Sequence, residues 1–259
     1  MKIISVVNQK GGTGKTTTVV NLVSYIAHLG RRVLLVDLDP QANATSGFGL
    51  NPREVEAGIY ELMSAAVEAQ SVIKEIRNNL YLLPTNENLA GANIELVNTE
   101  NREFKLLEAL QKISNNYDYI IIDTPPSLGL LTINSLLAAD ALLIPVQAEY
   151  YALEGLGQLM NTVELVKNNL KPELDILGAV VTMYDERSRL SKEVWEELYK
   201  NFGSRIFRTI IPRNIKLAEA PSFGQSILEY DPRSKGAKAY QRLAKEFISL
   251  SKQIKSINP

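Results

Sequence analysis

Asn8-Gln9-Lys10-Gly11-Gly12-Thr13-Gly14-Lys15-Thr16-Thr17-Thr18 follows an apolar run at residues 3–7 and opens a helical pattern at 16–29. Strand, glycine loop and helix in direct succession decide the fold. Glycines let the backbone turn its N–H groups inward around an anion. The helix start behind them adds partial positive charge at the same point. Lys15 is spaced to reach the β- and γ-phosphates of a nucleotide, and the Thr16 hydroxyl to reach Mg2+. The P-loop pattern asks for glycine five residues before Gly14, where this chain has Gln9. The loop is therefore a variant, with a glycine pair and an additional lysine, Lys10. A glycine-rich turn with two solvated lysines is the bland alternative, and the matching strand and helix argue against it.

Outward from the loop, short apolar runs at 3–7, 33–36, 80–83, 119–122, 141–146, 176–181 and 206–211 alternate with helical patterns at 16–29, 104–113, 153–166, 192–199 and 237–254. Runs apolar at nearly every position are strands covered on both faces. The alternation predicts an α/β fold: one doubly wound, mostly parallel sheet of the P-loop NTPase type with helices on both faces, spanning residues 1–259 as a single domain. Ligands in such sheets lie beyond the carboxyl ends of the strands, so the loops after Val7, Val36, Ile122 and Ile211 come first. Two of them carry carboxylates: Asp37 and Asp39 in Val36-Asp37-Leu38-Asp39-Pro40-Gln41, and Asp123 in Ile122-Asp123-Thr124-Pro125-Pro126. Mg2+ on a phosphate needs hard oxygen ligands, and hydrolysis needs a group to orient water. One aspartate at a strand end is more often a cap or turn residue; three beside a phosphate loop form a site.

Composition narrows the chemistry. The 259 residues are 45% hydrophobic and 22% charged, the profile of a soluble globular protein. Cysteine is absent, which excludes disulfides, thiolate-held clusters, cysteine zinc sites and a cysteine nucleophile. The single histidine, His28, leaves general-base work to carboxylates. The apolar start is too short for a signal peptide or membrane span, which predicts a cytosolic protein. The net charge of −1 hides an asymmetry: from Arg187 onward there are 15 Lys and Arg against 7 Asp and Glu. A basic last third fits a polyanionic partner.

The chain resembles the ParA/Soj chromosome-partitioning ATPases, a deviant Walker A family related to MinD. The resemblance is carried by Lys10-Gly11-Gly12-Thr13-Gly14-Lys15-Thr16-Thr17, Asp37-Leu38-Asp39-Pro40-Gln41, Asp123-Thr124-Pro125-Pro126-Ser127-Leu128-Gly129 and Ile211-Pro212-Arg213-Asn214. Glu149-Tyr150-Tyr151-Ala152-Leu153-Glu154-Gly155 and Glu219-Ala220-Pro221-Ser222 resemble the Soj branch in particular. Position 13 is threonine where many relatives carry valine, and position 124 threonine where some carry cysteine; neither change removes a phosphate ligand.

The resemblance implies ATP/ADP and Mg2+ as cofactors and slow ATP hydrolysis. It makes Lys10 the signature lysine that crosses a dimer interface to the partner's nucleotide, with Gly11 permitting close approach of the opposing backbone. Lys10, Lys15 and Asp39 become the catalytic set, Asp39 positioning the hydrolytic water. Residues 10–17 would hold phosphate, and Pro212 and Asn214 the adenine. Thr16, Asp37 and Asp123 would stand on the metal side, Asp123 as the Walker B carboxylate. An ATP-dependent homodimer would bind non-specific DNA at the nucleoid through Arg187 and Lys216, with Arg189, Lys192, Arg208 and Lys235 as further candidates. A ParB-type centromere-binding protein, through a basic N-terminal tail, would accelerate hydrolysis. Only Met1 precedes the first strand pattern, so no N-terminal DNA-reading module is expected.

Two rivals are set beside this reading. A MinD-like membrane-cycling ATPase needs a lipid-binding amphipathic helix, and Tyr240, Leu243, Ala244, Phe247 and Ile248 form a helical stripe that Leu250, Ile254 and Ile257 continue less regularly. Stripes at that spacing more often pack on their own sheet. A biosynthetic P-loop enzyme would not require Lys10 and would need a substrate segment that the sequence does not display.

Overall fold

Leu34, Leu35 and Val36 have no polar alternation, and all five residues of their strand, Val33–Asp37, are buried. That is the signature of a strand sandwiched between helices. The computed structural model describes residues 1–96, 99–113, 116–149 and 152–254. Its sheet has seven strands, β1 (Lys2–Val6), β2 (Val33–Asp37), β3 (Lys74–Arg77), β4 (Leu80–Leu83), β5 (Tyr119–Asp123), β6 (Ala141–Gln147) and β7 (Asp175–Thr182), in the order β3-β4-β2-β5-β1-β6-β7. All neighbours run parallel except β3 against β4.

Side chains alternate across each strand, so the strands feed two cores. Ile3, Leu34, Ile120 and Leu142 point into one, beneath α6 (Lys105–Gln111), α7 (Leu130–Ala138) and α8 (Ala152–Asn169). Ile4, Leu35, Ile121 and Leu143 point into the other, beneath α1 (Lys15–His28) and α12 (Lys235–Ser251). The stripe Tyr240, Leu243, Ala244 and Phe247 is 0–1% exposed in this second core, with Ile248 and Leu250 packed against it. Ile257 lies outside the described residues. An apolar face committed to α1 is not presented to lipid.

Two differences from the predicted strands have physical causes. Residues 206–211 are no strand: they touch β7 only through isolated bridges, Ala179 to Ile206 and, just beyond, Tyr184 to Pro212. Phe207 N–H and Ile211 N–H donate to the Ala179 and Val181 carbonyls. Between them, the Arg208 and Thr209 N–H groups donate to the Glu246 carboxylate at 2.6 and 3.0 Å instead. A side chain of α12 thus takes the Thr209 donor that a continuous ladder with β7 would have used. Conversely β3, Lys-Glu-Ile-Arg, is a largely exposed edge strand whose polar sequence reads as loop. Helix α7 also went unread, because its polar Thr132, Asn134 and Ser135 are buried and interrupt the period.

At Gly178 a Cβ would stand 2.6 Å from the Arg205 carbonyl oxygen and 3.0 Å from the Phe207 ring. Gly178→Ala should therefore cost about 1–3 kcal/mol of overpacking, read as a Tm lower by about 2–9 °C. A Tm equal to wild type by calorimetry would show that the 205–207 segment yields freely.

Candidate functional site

The strand order brings the ends of β2, β5 and β1 side by side. Asp37 is in register with Asp123, and Asp123 with Val6, the last residue of β1. Gly12 and Gly14 adopt φ of 75° and 84°, the left-handed region that suits glycine. Gly14 precedes α1 without a capping side chain, and the first turn carries no acidic residue. The first N–H groups of α1 are thereby left for an anion. The loop is braced from outside: Asn8 Nδ2 donates to the Pro145 carbonyl at 2.7 Å, and Thr182 Oγ1 to the Thr13 carbonyl at 2.8 Å.

The two lysines diverge. Lys15 is buried, and its Nζ donates to the Lys10 carbonyl at 3.3 Å. Burial lowers the Lys15 pKa, while Asp123 and Asp39 oppose that shift. Lys10 extends outward, its Nζ 3.5 Å from Glu149 Oε2, both side chains partly exposed. Glu149 also accepts from Gln147 Nε2 at 2.6 Å and stands 3.8 Å from Arg213. Tyr150 and Tyr151 of the same motif lie outside the described residues.

The carboxylates differ in what they touch. Asp37 Oδ2 accepts from both the N–H and the hydroxyl of Thr45 at 2.7 Å, and Oδ1 from Asp39 N–H at 3.3 Å. Burial nevertheless pushes its pKa up to about 6. Asp39 Oδ1 accepts from Gln41 N–H at 3.0 Å. Asp123 is fully buried and neither oxygen accepts a well-formed hydrogen bond. The Thr16 hydroxyl stands near enough to favour its ionised form without bonding to it in good geometry. Burial first, and then Asp37, raise the Asp123 pKa well above the usual carboxylate range. A buried, donorless carboxylate beside a threonine hydroxyl and a lysine suits a hard cation. Among the described residues no cluster of three or more His, Cys, Asp or Glu side chains converges to hold a metal. An ion here would rest on Asp123, Thr16 and a ligand's phosphates. Asp37, expected on the metal side, has its oxygens turned to Thr45 and Asp39.

Beyond the loop lies a cavity of about 420 Å³ lined by Gly14, Thr17, Met183, Pro212, Asn214 and Tyr240 among others. Pro212 and Asn214, expected beside the adenine, both line this cavity. Asn214 is partly occupied, its Oδ1 accepting from Lys216 N–H at 2.9 Å to cap α10 (Ile215–Glu219). Met183 and Tyr240 line the cavity unforeseen, since nothing local marks a residue that only packing brings there.

The basic residues scatter. Arg187 pairs with Asp185 at 3.2 Å, Arg189 with Glu193 at 2.8 Å, and Lys216 with Glu219 at 2.9 Å. A separate groove of about 520 Å³ collects Arg208, Lys235, Lys238 and Arg242 beside Tyr184 and Pro212. Lys238 and Arg242 were missed in sequence. Their spacing from Lys235, three and seven residues, was a legible signal of one helix face.

Sheet and loop together define a P-loop nucleotide-binding protein, and residues 1–176 match the family described as AAA domain. The chain is 54% identical over 246 residues to the sporulation initiation inhibitor protein Soj of Bacillus subtilis (strain 168), covering 95% of this chain and 97% of that protein. It is 49% identical over 249 residues to the chromosome partitioning protein ParA of Myxococcus xanthus (strain DK1622), covering 95% and 88%. It belongs to the Soj/ParA family of chromosome-partitioning ATPases. Among solved structures, the cobyrinic acid a,c-diamide synthase of Mycobacterium smegmatis with bound ATP analog and magnesium superposes with a TM-score of 0.86, at 36% identity, covering 98% of this chain and 96% of that one. A plasmid partition protein of Borrelia burgdorferi B31 bound to AMPPNP gives 0.82 at 29% identity, covering 96% and 98%.

A raised carboxylate pKa means that the ionised form opposes folding. Stability linked to the Asp123 proton is present below the unfolded pKa and lost as pH rises through the folded one. Asp123→Asn should therefore raise the Tm of the nucleotide-free protein at pH 7.5 by about 2–4 °C or more. The advantage should shrink toward pH 5, and Mg2+-dependent ATP affinity should fall. A variant less stable than wild type at pH 7.5 would mean that Asp123 is stabilised by a donor after all.

Proposed function

We propose that this chain is an ATP-operated DNA-binding switch for chromosome or plasmid partitioning. The observation that carries the proposal is the divergence of the two loop lysines. Lys15 is buried with its Nζ on the Lys10 carbonyl, within electrostatic reach of Asp123, and would serve the chain's own phosphates. Lys10 points outward to Glu149, a partly exposed pair worth at most about 1 kcal/mol, and is free to reach the nucleotide of a second copy. Two facing subunits would each trap an ATP and neutralise the other's phosphate charge. Gly11 supports such an approach: a Cβ there would meet only Pro126, at 3.9 Å.

Within one subunit the N–H groups of the loop and Lys15 hold the β- and γ-phosphates, and Pro212 and Asn214 flank the base. Asp123 and Thr16 hold Mg2+, which would neutralise phosphate charge during transfer. Asp39 orients the attacking water. Hydrolysis returns the dimer to monomers, slowly unless a ParB-type partner with a basic tail accelerates it. DNA is bound through phosphates without sequence preference, which would place the protein in the cytoplasm on the nucleoid. No helix among the described residues is long and apolar enough to cross a membrane.

A synthase-like role is the second reading, favoured by the 0.86 superposition on a diamide synthase. Sedimentation with ATP, ADP and a non-hydrolysable analogue, with and without plasmid DNA, separates the two. The switch forms a dimer and pellets with DNA only in ATP or the analogue; a monomer indifferent to both would favour the synthase.

Asp39→Ala should bind ATP, dimerise and stay on DNA while hydrolysis falls at least about 100-fold. An Asp39→Ala protein that remains monomeric with ATP by light scattering would sink the water-orienting role.

For the DNA surface, the groove of Arg208, Lys235, Lys238 and Arg242 is favoured over the ion-paired Arg187, Arg189 and Lys216. Removing Arg208 and Arg242 together takes four contacts from the dimer and should flatten the slope of log affinity against log salt by about 3.6, at about 0.9 per contact. ATP-dependent dimerisation should persist. An unchanged slope in the salt titration moves the DNA surface to Arg187, Arg189 and Lys216.

A further inference from the structure

We infer that Thr45 is a positioning residue for hydrolysis, acting through Asp37 to hold Asp39 in place; it rests on the water-orienting role given to Asp39 above. Thr45 lies in α2 (Asn43–Gly47), six residues beyond Asp39, and is fully buried. Its hydroxyl donates to Asp37 Oδ2 at 2.7 Å and accepts from Thr85 N–H at 3.1 Å. Its own N–H donates to the same Asp37 oxygen at 2.7 Å. With hydrogen bonds on both sides, the hydroxyl rotor is fixed and presents nothing to substrate.

This single hydroxyl ties three elements together. Asp37 ends β2. Thr85 follows β4, next to Pro84, whose carbonyl accepts from Ile59 N–H at 2.9 Å at the start of α3 (Ile59–Met63). Between Asp37 and Thr45 the chain makes a tight excursion: Asp39 N–H donates to Asp37 Oδ1, Gln41 N–H to Asp39 Oδ1, and Ala42 N–H to the Asp39 carbonyl at 2.8 Å. Ala42 sits at a φ of 54°, a left-handed conformation that an alanine keeps only when its surroundings impose it. Asp39 thus stands at the start of a loop pinned twice to one Asp37 carboxylate, by its own N–H on Oδ1 and by Thr45 on Oδ2. Both pins must hold for Asp39 to keep its place. Asp37, on this geometry, works as the anchor of the loop, leaving the open carboxylate to Asp123.

Three variants in the full chain test the inference: Thr45→Val, which keeps shape and loses the hydroxyl; Thr45→Ser, which keeps the hydroxyl; and Asp39→Ala as reference. Each is measured for ATP affinity, Tm and the kcat and KM of Mg-ATP hydrolysis. Since about 1 Å of misplacement can cost on the order of 100-fold, Thr45→Val should lower kcat about 10–100-fold. ATP affinity should stay within about threefold, and ATP-dependent dimers should accumulate as in Asp39→Ala. Thr45→Ser should restore kcat to within about threefold of wild type. Equal losses in the two Thr45 variants, or a loss of ATP affinity matching that of kcat, would reduce Thr45 to a structural role and overturn the inference. If Thr45→Val does not fold, Thr45→Ser with wild-type Tm but a kcat below one tenth would also overturn it. Normal hydrolysis by Asp39→Ala would remove the water-orienting role itself, a failure distinct from normal hydrolysis by Thr45→Val alone.

Discussion

A carboxylate buried without a donor is the constraint on which the rest of the site depends. Asp123 is held at the carboxyl end of β5, flanked in register by Asp37 on one side and Val6 on the other. Among the described residues none hydrogen-bonds it in good geometry, and burial and its acidic neighbours disfavour its charge. Such an arrangement stores unfavourable free energy in the folded protein. Cationic groups aimed at the same point relieve it, and Lys15 is one of them. The glycine loop, the helix start and the strand order all serve to bring positive charge and ligand N–H groups to the ends of the strands, where the negative charge is already fixed.

The fold and the site are legible in the sequence where local chemistry and position coincide. The loop 8–18 carries its own signal because glycine, lysine and threonine occur at fixed spacing between a strand and a helix. Asp37 and Asp123 were legible as strand-end carboxylates, since each closes an unbroken apolar run. What each one does was not. Asp37 and Asp123 look alike in sequence, and only the fold gives one of them Thr45 as a partner and leaves the other bare. The same limit applies to residues 206–211, whose apolar pattern is that of a strand. Glu246, some forty residues away on another element, takes the Thr209 donor of that ladder, and no local pattern announces it. Strand β3 failed in the opposite direction: an exposed edge needs no apolar run, so its polar residues gave no period to read.

The cavity beside the glycine loop and the basic groove share a wall. Pro212 lines both, and the segment around it is fixed to the turn after β7 by Tyr184 N–H on the Ile211 carbonyl and Arg213 N–H on the Tyr184 carbonyl. Tyr184 itself faces the groove. One short strip of backbone therefore walls both the cavity and the groove, and the same two hydrogen bonds hold it for each.

Helix α12 completes this arrangement by being used on two faces. Its apolar stripe packs against α1, and at the head of that stripe Tyr240 places its hydroxyl 3.3 Å from Thr18 Oγ1, one turn into the helix that receives the phosphates. Its opposite face carries Lys235, Lys238 and Arg242 into the groove. Between the two, Glu246 grips the Arg208 and Thr209 backbone and so fixes the base of the Arg208 side chain. The apolar stripe of this helix is committed to its own core, with Tyr240, Leu243, Ala244 and Phe247 buried there. The helix is a link between the face that packs on α1 and the face that carries a row of cations, with Glu246 fixed between the two.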